Sequence, residues 1–190
     1  MIDSPERRDD ASGDRSDTPE RRDDAADDRG DVLLDFTLHN GGVGPDPFTL
    51  SDADATLAVV LFHRDHLCGN CRRQATRIAR RHAAFRDRDV AVVSVLPEPA
   101  SRAAAWAGCR GAPHPVLADP DNAVAKRYGQ PTTLGPVGRR IDLLGRLPLA
   151  VLVDLRGDPG EVRELWRHAG RRPDDRPSVD DLLAEVAKFA

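Results

Sequence analysis

A chain of 190 residues with a formal net charge of −4 and a mean hydropathy of −0.50 has room for one hydrophobic core of ordinary size plus a tail. Lys126 and Lys188 are the only lysines among 28 basic residues, and this Arg- and Asp-rich usage fits a salt-adapted or a GC-rich source. No apolar run nears the ~20 residues of a membrane span, and the charged N-terminus lacks a secretory apolar stretch, so no membrane contact and a cytoplasmic location are expected.

Residues 1–30 carry almost no large apolar side chains and repeat themselves: DSPERRDDASGDR from Asp3 returns, shifted by 14 residues, as DTPERRDDAADDR from Asp17. With 6 Arg against 11 acids this stretch has a net charge of −5. It buries too little surface to offset its ordering entropy and is expected to be a disordered acidic tail. The remainder, 31–190, holds 22 basic and 21 acidic residues. A near-neutral, aromatic-poor domain carries no electrostatic footprint for nucleic acid. Arg72, Arg73, Arg77, Arg80 and Arg81 cluster on one helical stretch, which reads first as a solvated face.

Within 31–190, Val32–Leu38 and Phe48–Leu50 are strand candidates flanking the turn-rich GGVGPDP. Leu57–Phe62 (LAVVLF) is continuously apolar, as in a strand buried on both faces. A helix of ~15 residues follows from near Cys71 to Phe85, its apolar positions Ala75, Ile78, Ala79, His82 and Phe85 spaced at the helical period. Val90–Val95 is the next buried strand. A helix opens at Pro99 and runs to about Gly108 with Trp106 inward, and a shorter one covers Asp121–Tyr128. Residues 129–147 read as a Gly/Pro-rich loop with one helical turn near Ile141–Leu144. Leu149–Asp154 and Glu161–Arg167, joined by RGDPG, form an antiparallel hairpin. Ser178 caps a last helix to Phe189, with Asp181 completing a capping box. A helix between the strands at 57–62 and 90–95 makes a right-handed parallel βαβ unit. The expected architecture is α/β: a mixed central sheet with helices on both faces and an N-terminal strand or hairpin extension.

Cys68-Gly69-Asn70-Cys71 sits where the first buried strand gives way to the first long helix. Residues three apart on a helix are neighbours, so the two sulfurs can meet. Unpaired N–H groups at the helix start favour a thiolate, and Arg72 is positioned to add positive charge. Such surroundings lower a thiol pKa from ~8.5 to ~7 or below. Cys68, first in the chain, is expected to be the exposed nucleophile, and Cys71 the more buried resolving thiol. Cys109, near a helix end after Trp106, is an alternative resolving cysteine. His63, His66, Cys68 and Cys71 also spell a possible zinc or copper ligand set, the alternative to redox chemistry.

These residues resemble the thioredoxin-like superfamily, and within it the redoxin branch of AhpC/TSA and peroxiredoxin-like proteins. The resemblance runs over about 31–190 through DFTLHN, FTLSD, VVLFHRDHLCGNCR, VAVVSVLPEP, HPVLADPDNAVAKRYG, LPLAVLVDLRGD and DRPSVDDLLAEV. It implies a thioredoxin-like fold, a thiol-dependent antioxidant or disulfide-exchange activity without bound cofactor, a peroxide or protein-disulfide substrate, and a cellular dithiol (thioredoxin-like) as reductant. It also implies a cis-proline at Pro148 lining the substrate groove. The peroxiredoxin signature P-x-x-x-T-x-x-C, aligned on Cys68, meets Leu61 and Asp65 at its proline and threonine. The family's active-site arginine falls on Pro148 when Asp154 is matched, and Leu67 replaces the tryptophan that precedes the cysteine in thioredoxins.

Overall fold

The computed structural model describes residues 34–133, 145–158 and 160–190. The expected tail at 1–30 and the helical turn near 141–144 lie outside them.

Seven strands form one sheet: β1 Thr37–Asn40, β2 Phe48–Thr49, β3 Leu57–Phe62, β4 Val90–Leu96, β5 Val116–Ala118, β6 Leu149–Asp154 and β7 Arg163–Ala169. Their order is β2-β1-β5-β4-β3-β6-β7. Helices α1 Gly69–Arg80, α2 His82–Arg86, α3 Ala100–Arg110, α4 Ala123–Arg127 and α5 Val179–Val186 are the helices among the described residues.

The centre of the sheet follows directly from β3. Its six side chains are all apolar and all buried because both faces are covered. Ala58, Val60 and Phe62 enter a core with Phe36, Phe48, Leu50, Val93, Val95, Val124, Tyr128, Val151 and Val153. Leu57, Val59 and Leu61 point the other way, to Ile78 of α1, Phe85 of α2 and Leu182, Leu183 and Val186 of α5. Each large side chain so placed contributes about 1.5–3 kcal/mol of burial. β3 pairs parallel with β4 and antiparallel with β6, Phe62 facing Val95 on one side and Leu149 on the other. Helix α3 packs through Ala103, Trp106 and Ala107 onto Ala75, Leu96 and Val116. The approach of α3 to the end of β1 is so close that a Cβ on Gly41 would lie 2.3 Å from the Ala104 nitrogen.

Several elements differ from expectation. Strand β1 begins at Thr37, five residues later than the apolar pattern suggests, because Leu34 and Phe36 serve the core from an irregular lead-in. The three-residue β5 is an addition to the expected strands, since VLA is too short to show a period. The long helix starts at Gly69 and breaks at Arg81, whose N–H bonds the Ile78 carbonyl at a tightened three-residue spacing. β7 is displaced two residues along, with a register irregularity near Val153. The capping box of Ser178 and Asp181 is present as expected. No helix among the described residues is long and apolar enough to cross a membrane.

Candidate active site

Strand β3 ends at Phe62, and the loop His63–Leu67 carries the chain from the sheet to Cys68, the N-cap of α1. An N-cap side chain ordinarily offers oxygen to an orphan amide of the first turn. Here sulfur does so: the Cys71 N–H donates to Cys68 Sγ at 3.2 Å. Cys71 is wholly buried beneath it. Its Sγ accepts from the Arg64 N–H at 3.5 Å and from Arg176 Nη2 at 3.1 Å, and the same Nη2 lies 3.8 Å from Cys68 Sγ. Both cysteines are free thiols in this structure.

Arg176 comes from the loop between β7 and α5 and is locked in place. Nη1 donates to Gln74 Oε1 at 2.8 Å and Nε to the Pro173 carbonyl at 3.2 Å. Asn70 Nδ2 and Gln74 Nε2 donate back to the Pro173 and Pro177 carbonyls, so the first two turns of α1 and this loop are laced together. The loop is positioned in turn by Gly170, whose N–H bonds the Pro148 carbonyl at 2.9 Å. A Cβ on Gly170 would come within 2.6 Å of the Pro148 ring and 2.5 Å of the Asp175 carbonyl.

The electrostatics separate the two thiols. A hydrogen bond from the Cys71 thiol lowers the Cys68 pKa to about 5, against the cost of burial; the Cys71 amide and the Arg176 charge act in the same direction, while Asp65 opposes them. Cys71 is pushed the other way, above the ordinary thiol range, by donating that hydrogen bond and by burial. The two sulfurs are thus pushed in opposite directions, Cys68 toward the anion and Cys71 toward the protonated form.

Around this pair the loop is pinned by Glu98, a buried carboxylate that accepts from the His66 amide at 3.2 Å, lies 2.6 Å from His66 Nδ1 and accepts from Arg102 at 3.0 Å. His63 turns inward. Its Nε2 lies 3.0 Å from Ser94 Oγ, which lies 3.1 Å from His114 Nε2, and its ring rests on Trp106 with centroids 5.2 Å apart. Burial lowers the pKa of His63 to about 3 and of His114 to about 4, so both are neutral imidazoles at ordinary pH.

Of the residues singled out from the sequence, Cys68 and Cys71 meet as expected, although Cys68 is only 9% exposed and so more sheltered than an open nucleophile. Arg72 does not serve the thiolate; its guanidinium turns back to the Leu67 carbonyl. Pro148 does approach the site, since Arg64 Nε bonds the Arg146 carbonyl and Gln130 Nε2 bonds the Leu147 carbonyl. Its peptide bond is trans, however; among the described residues the cis bond is Asp46–Pro47. The segment runs straight into the β6–β7 ladder through the Gly170 contact, so the extended trans form carries the pairing on. Cys109 is an exposed thiol in the last turn of α3, outside the hydrogen-bond set of the two sulfurs. The four residues of the metal alternative do not converge: His63 is engaged by Ser94 and His66 by Glu98, and no cluster of three or more ligating side chains occurs among the described residues. Sequence reasoning missed Arg176, Gln74 and Glu98. Arg176 lies 105 residues from its partner Cys71, and the only local hint is its position between two prolines just ahead of a capped helix.

Residues 29–158 match the AhpC/TSA family. The chain belongs to that family. The matched span includes the sheet core and both cysteines and ends before Arg176. No curated protein matches the chain in sequence. Among solved structures, the fold resembles peroxidoxin BcpB from Mycobacterium tuberculosis (TM-score 0.65, 21% identity, covering 82% of this chain and 94% of that one). It also resembles the reduced 2-Cys peroxiredoxin of Plasmodium vivax (0.64, 16%, 82% and 91%) and peroxiredoxin Q of Xanthomonas campestris (0.61, 15%, 82% and 92%). The AhpC/TSA domain thus has the mixed-sheet, thioredoxin-like architecture expected from its sequence.

Proposed function

We propose that this chain is a thiol-dependent oxidoreductase that cycles between a Cys68/Cys71 dithiol and the corresponding disulfide, with disulfides as its oxidising substrates. The observation that carries the reading is the paired sulfur arrangement: Cys68 Sγ receives the Cys71 amide, while Arg176 Nη2 spans both sulfurs. The Cys68 thiolate attacks one sulfur of a substrate disulfide. A mixed disulfide forms and one substrate thiolate departs. Cys71 then attacks Cys68 Sγ, its proton passing to the second departing sulfur, so two substrate thiols leave and one protein disulfide remains. A cellular dithiol reverses the oxidation and returns the protein to its starting state. The absence of the usual proline and threonine at Leu61 and Asp65 favours this substrate over a peroxide.

A second reading is supported by the family and by Arg176. A guanidinium beside the nucleophile is suited to polarise a peroxide oxygen, and the matched arginine position holds Pro148 instead. In that case the Cys68 thiolate takes one peroxide oxygen to become a sulfenic acid, releasing an alcohol or water, and Cys71 condenses with it, releasing water.

Single variants Cys68→Ser, Cys71→Ser and Cys109→Ser, assayed for protein-disulfide reduction and for hydrogen peroxide consumption, decide between the readings. Disulfide exchange predicts loss of turnover in the first two, a trapped mixed disulfide in Cys71→Ser, and full activity in Cys109→Ser. Single-turnover peroxide consumption that survives Cys71→Ser, with no disulfide reduction by wild type, selects the second reading. Wild-type activity in neither assay refutes both.

A further inference from the structure

A cleft of about 130 Å³ opens between α1 and the segment that carries Arg176, and it meets the two sulfurs through Arg176, which lines it and reaches both. Its charged walls are Arg73, Arg77 and Arg176 against a single carboxylate, Asp174. Asp174 also faces Arg172, a residue outside the cleft lining, at 3.8 Å. Arg176 is fully engaged with Gln74, Pro173 and the cysteine sulfurs. Arg73 bonds only the neutral Asn70 side chain, and Arg77 has no hydrogen bond or ion pair among the described residues. The nearby acid Asp180 is occupied by Arg81 at 2.8 Å. Two exposed guanidiniums one helical turn apart thus line the cleft with no ion pair of their own among the described residues.

The spacing along α1 sets the size of what would fit. Arg73 is five residues beyond Cys68 and Arg77 nine, which at 1.5 Å rise places their Cα atoms ~7 and ~14 Å along the helix from the nucleophile, while the Arg73 guanidinium reaches back to Asn70. A molecule with a sulfur at Cys68 and carboxylates within ~14 Å of it would reach both guanidiniums, and guanidinium is well shaped to receive carboxylate. We propose that this cleft holds the carboxylates of a small, anionic, peptide-like disulfide, which makes a carboxylate-bearing low-molecular-weight thiol in its oxidised form a substrate of the Cys68/Cys71 pair. The assignment rests on the disulfide-exchange reading and names its substrate class. Cys68 attacks the disulfide, one anionic thiolate departs, and Arg73 and Arg77 retain the other half until Cys71 displaces it.

The test uses reduced full-length protein in single-turnover mixing with three disulfides: oxidised glutathione, which is anionic, neutral 2-hydroxyethyl disulfide and cationic cystamine. The quantity read is the ratio of the glutathione rate to the hydroxyethyl rate in wild type, in Arg73→Glu/Arg77→Glu and in Arg73→Gln/Arg77→Gln. Both arginines are exposed, so neither replacement burdens the core. The expected result is a fall in that ratio of about tenfold in the Gln pair, more in the Glu pair, with the ratio for cystamine rising and the salt dependence of the glutathione rate lost. An unchanged ratio in both double variants overturns the cleft assignment while leaving disulfide exchange standing. No reaction of wild type with any of the three, relative to Cys68→Ser, overturns the exchange reading itself.

Discussion

Replacing Arg176 by Gln removes a positive charge from the vicinity of Cys68 while keeping a side chain able to bond Gln74 and Pro173. Nη2 lies 3.8 Å from Cys68 Sγ. Taking the delocalised charge as about 5 Å away and an effective dielectric of about 40 for a half-exposed arginine gives ~1.7 kcal/mol, slightly more than one pKa unit. The Cys68 inflection should rise from about 5 by roughly one unit. At about pH 7 the thiolate fraction barely changes, from nearly all to about nine-tenths, whereas near pH 5 it falls about fivefold. Reactivity measured at neutral pH alone would therefore miss the effect. The suitable assay is the rate of Cys68 alkylation by iodoacetamide from about pH 4 to pH 8, followed by mass spectrometry in a Cys109→Ser background that silences the exposed thiol. Arg176→Lys should recover part of the shift, because it restores the charge but not the fork that spans both sulfurs. Cys71→Ala should raise the inflection more than Arg176→Gln does, since the Cys71 hydrogen bond is the largest influence on Cys68. An inflection in Arg176→Gln within about 0.3 unit of wild type would refute the electrostatic role given to Arg176.

Gly170→Ala should also raise the Cys68 inflection, without touching either sulfur, because the new methyl would press on Pro148 and the Asp175 carbonyl and shift the loop that holds Arg176; the same alkylation profile reads it. Ser94→Ala leaves the buried His63 and His114 Nε2 atoms without their shared partner and should cost about 1–3 kcal/mol, seen as a lower urea midpoint with unchanged slope. Those two histidines also set an acid sensitivity. Their folded pKa values lie below the unfolded ~6.5, so the unfolded chain binds more protons between that value and about 3 to 4. Stability from this source is complete above pH ~6.5 and declines as pH falls, by up to ~1.4 kcal/mol per histidine per pH unit; urea titrations of wild type and His114→Gln should diverge in that window. Gly41→Ala should destabilise by about 1–3 kcal/mol or more through overpacking against α3, measurable as a drop in Tm.

The parts legible in the sequence were those in which one physical signal dominates. LAVVLF and LAVLVD are buried on both faces, and their boundaries agree with the structure residue for residue. The Ser178 capping box is a local hydrogen-bond pattern and reads equally well. The cysteine pair was legible because strand, C-x-x-C and helix together constrain where the sulfurs lie. Elements were lost where the signal is short or tertiary. β5 has three residues, and its place in the sheet depends on pairing with β1 and β4. Arg72 adjoins Cys71 in the chain, yet helical geometry turns its side chain back along the first turn toward Leu67. The position beside the thiolate goes instead to a residue more than a hundred positions away.

That exchange of partners bears on how the AhpC/TSA scaffold supports its chemistry. The arginine position read from the family is Pro148, and Pro148 packs against Gly170 at the base of the loop that delivers Arg176. The residue standing where the charge was expected thus shapes the backbone that brings a charge from elsewhere. The need is set by physics: a sheltered sulfur ionises at neutral pH only if donors and a cation face it, because burial alone would raise its pKa. A helix N-terminus, a neighbouring thiol and one guanidinium meet that need here. A variant that moves the cation back, Pro148→Arg combined with Arg176→Gln, should still lose the low inflection, because the Pro148 side chain is buried against Gly170 rather than aimed at Cys68. A low inflection retained in that double variant would mean that the geometry of the 170–176 loop is not what tunes the nucleophile.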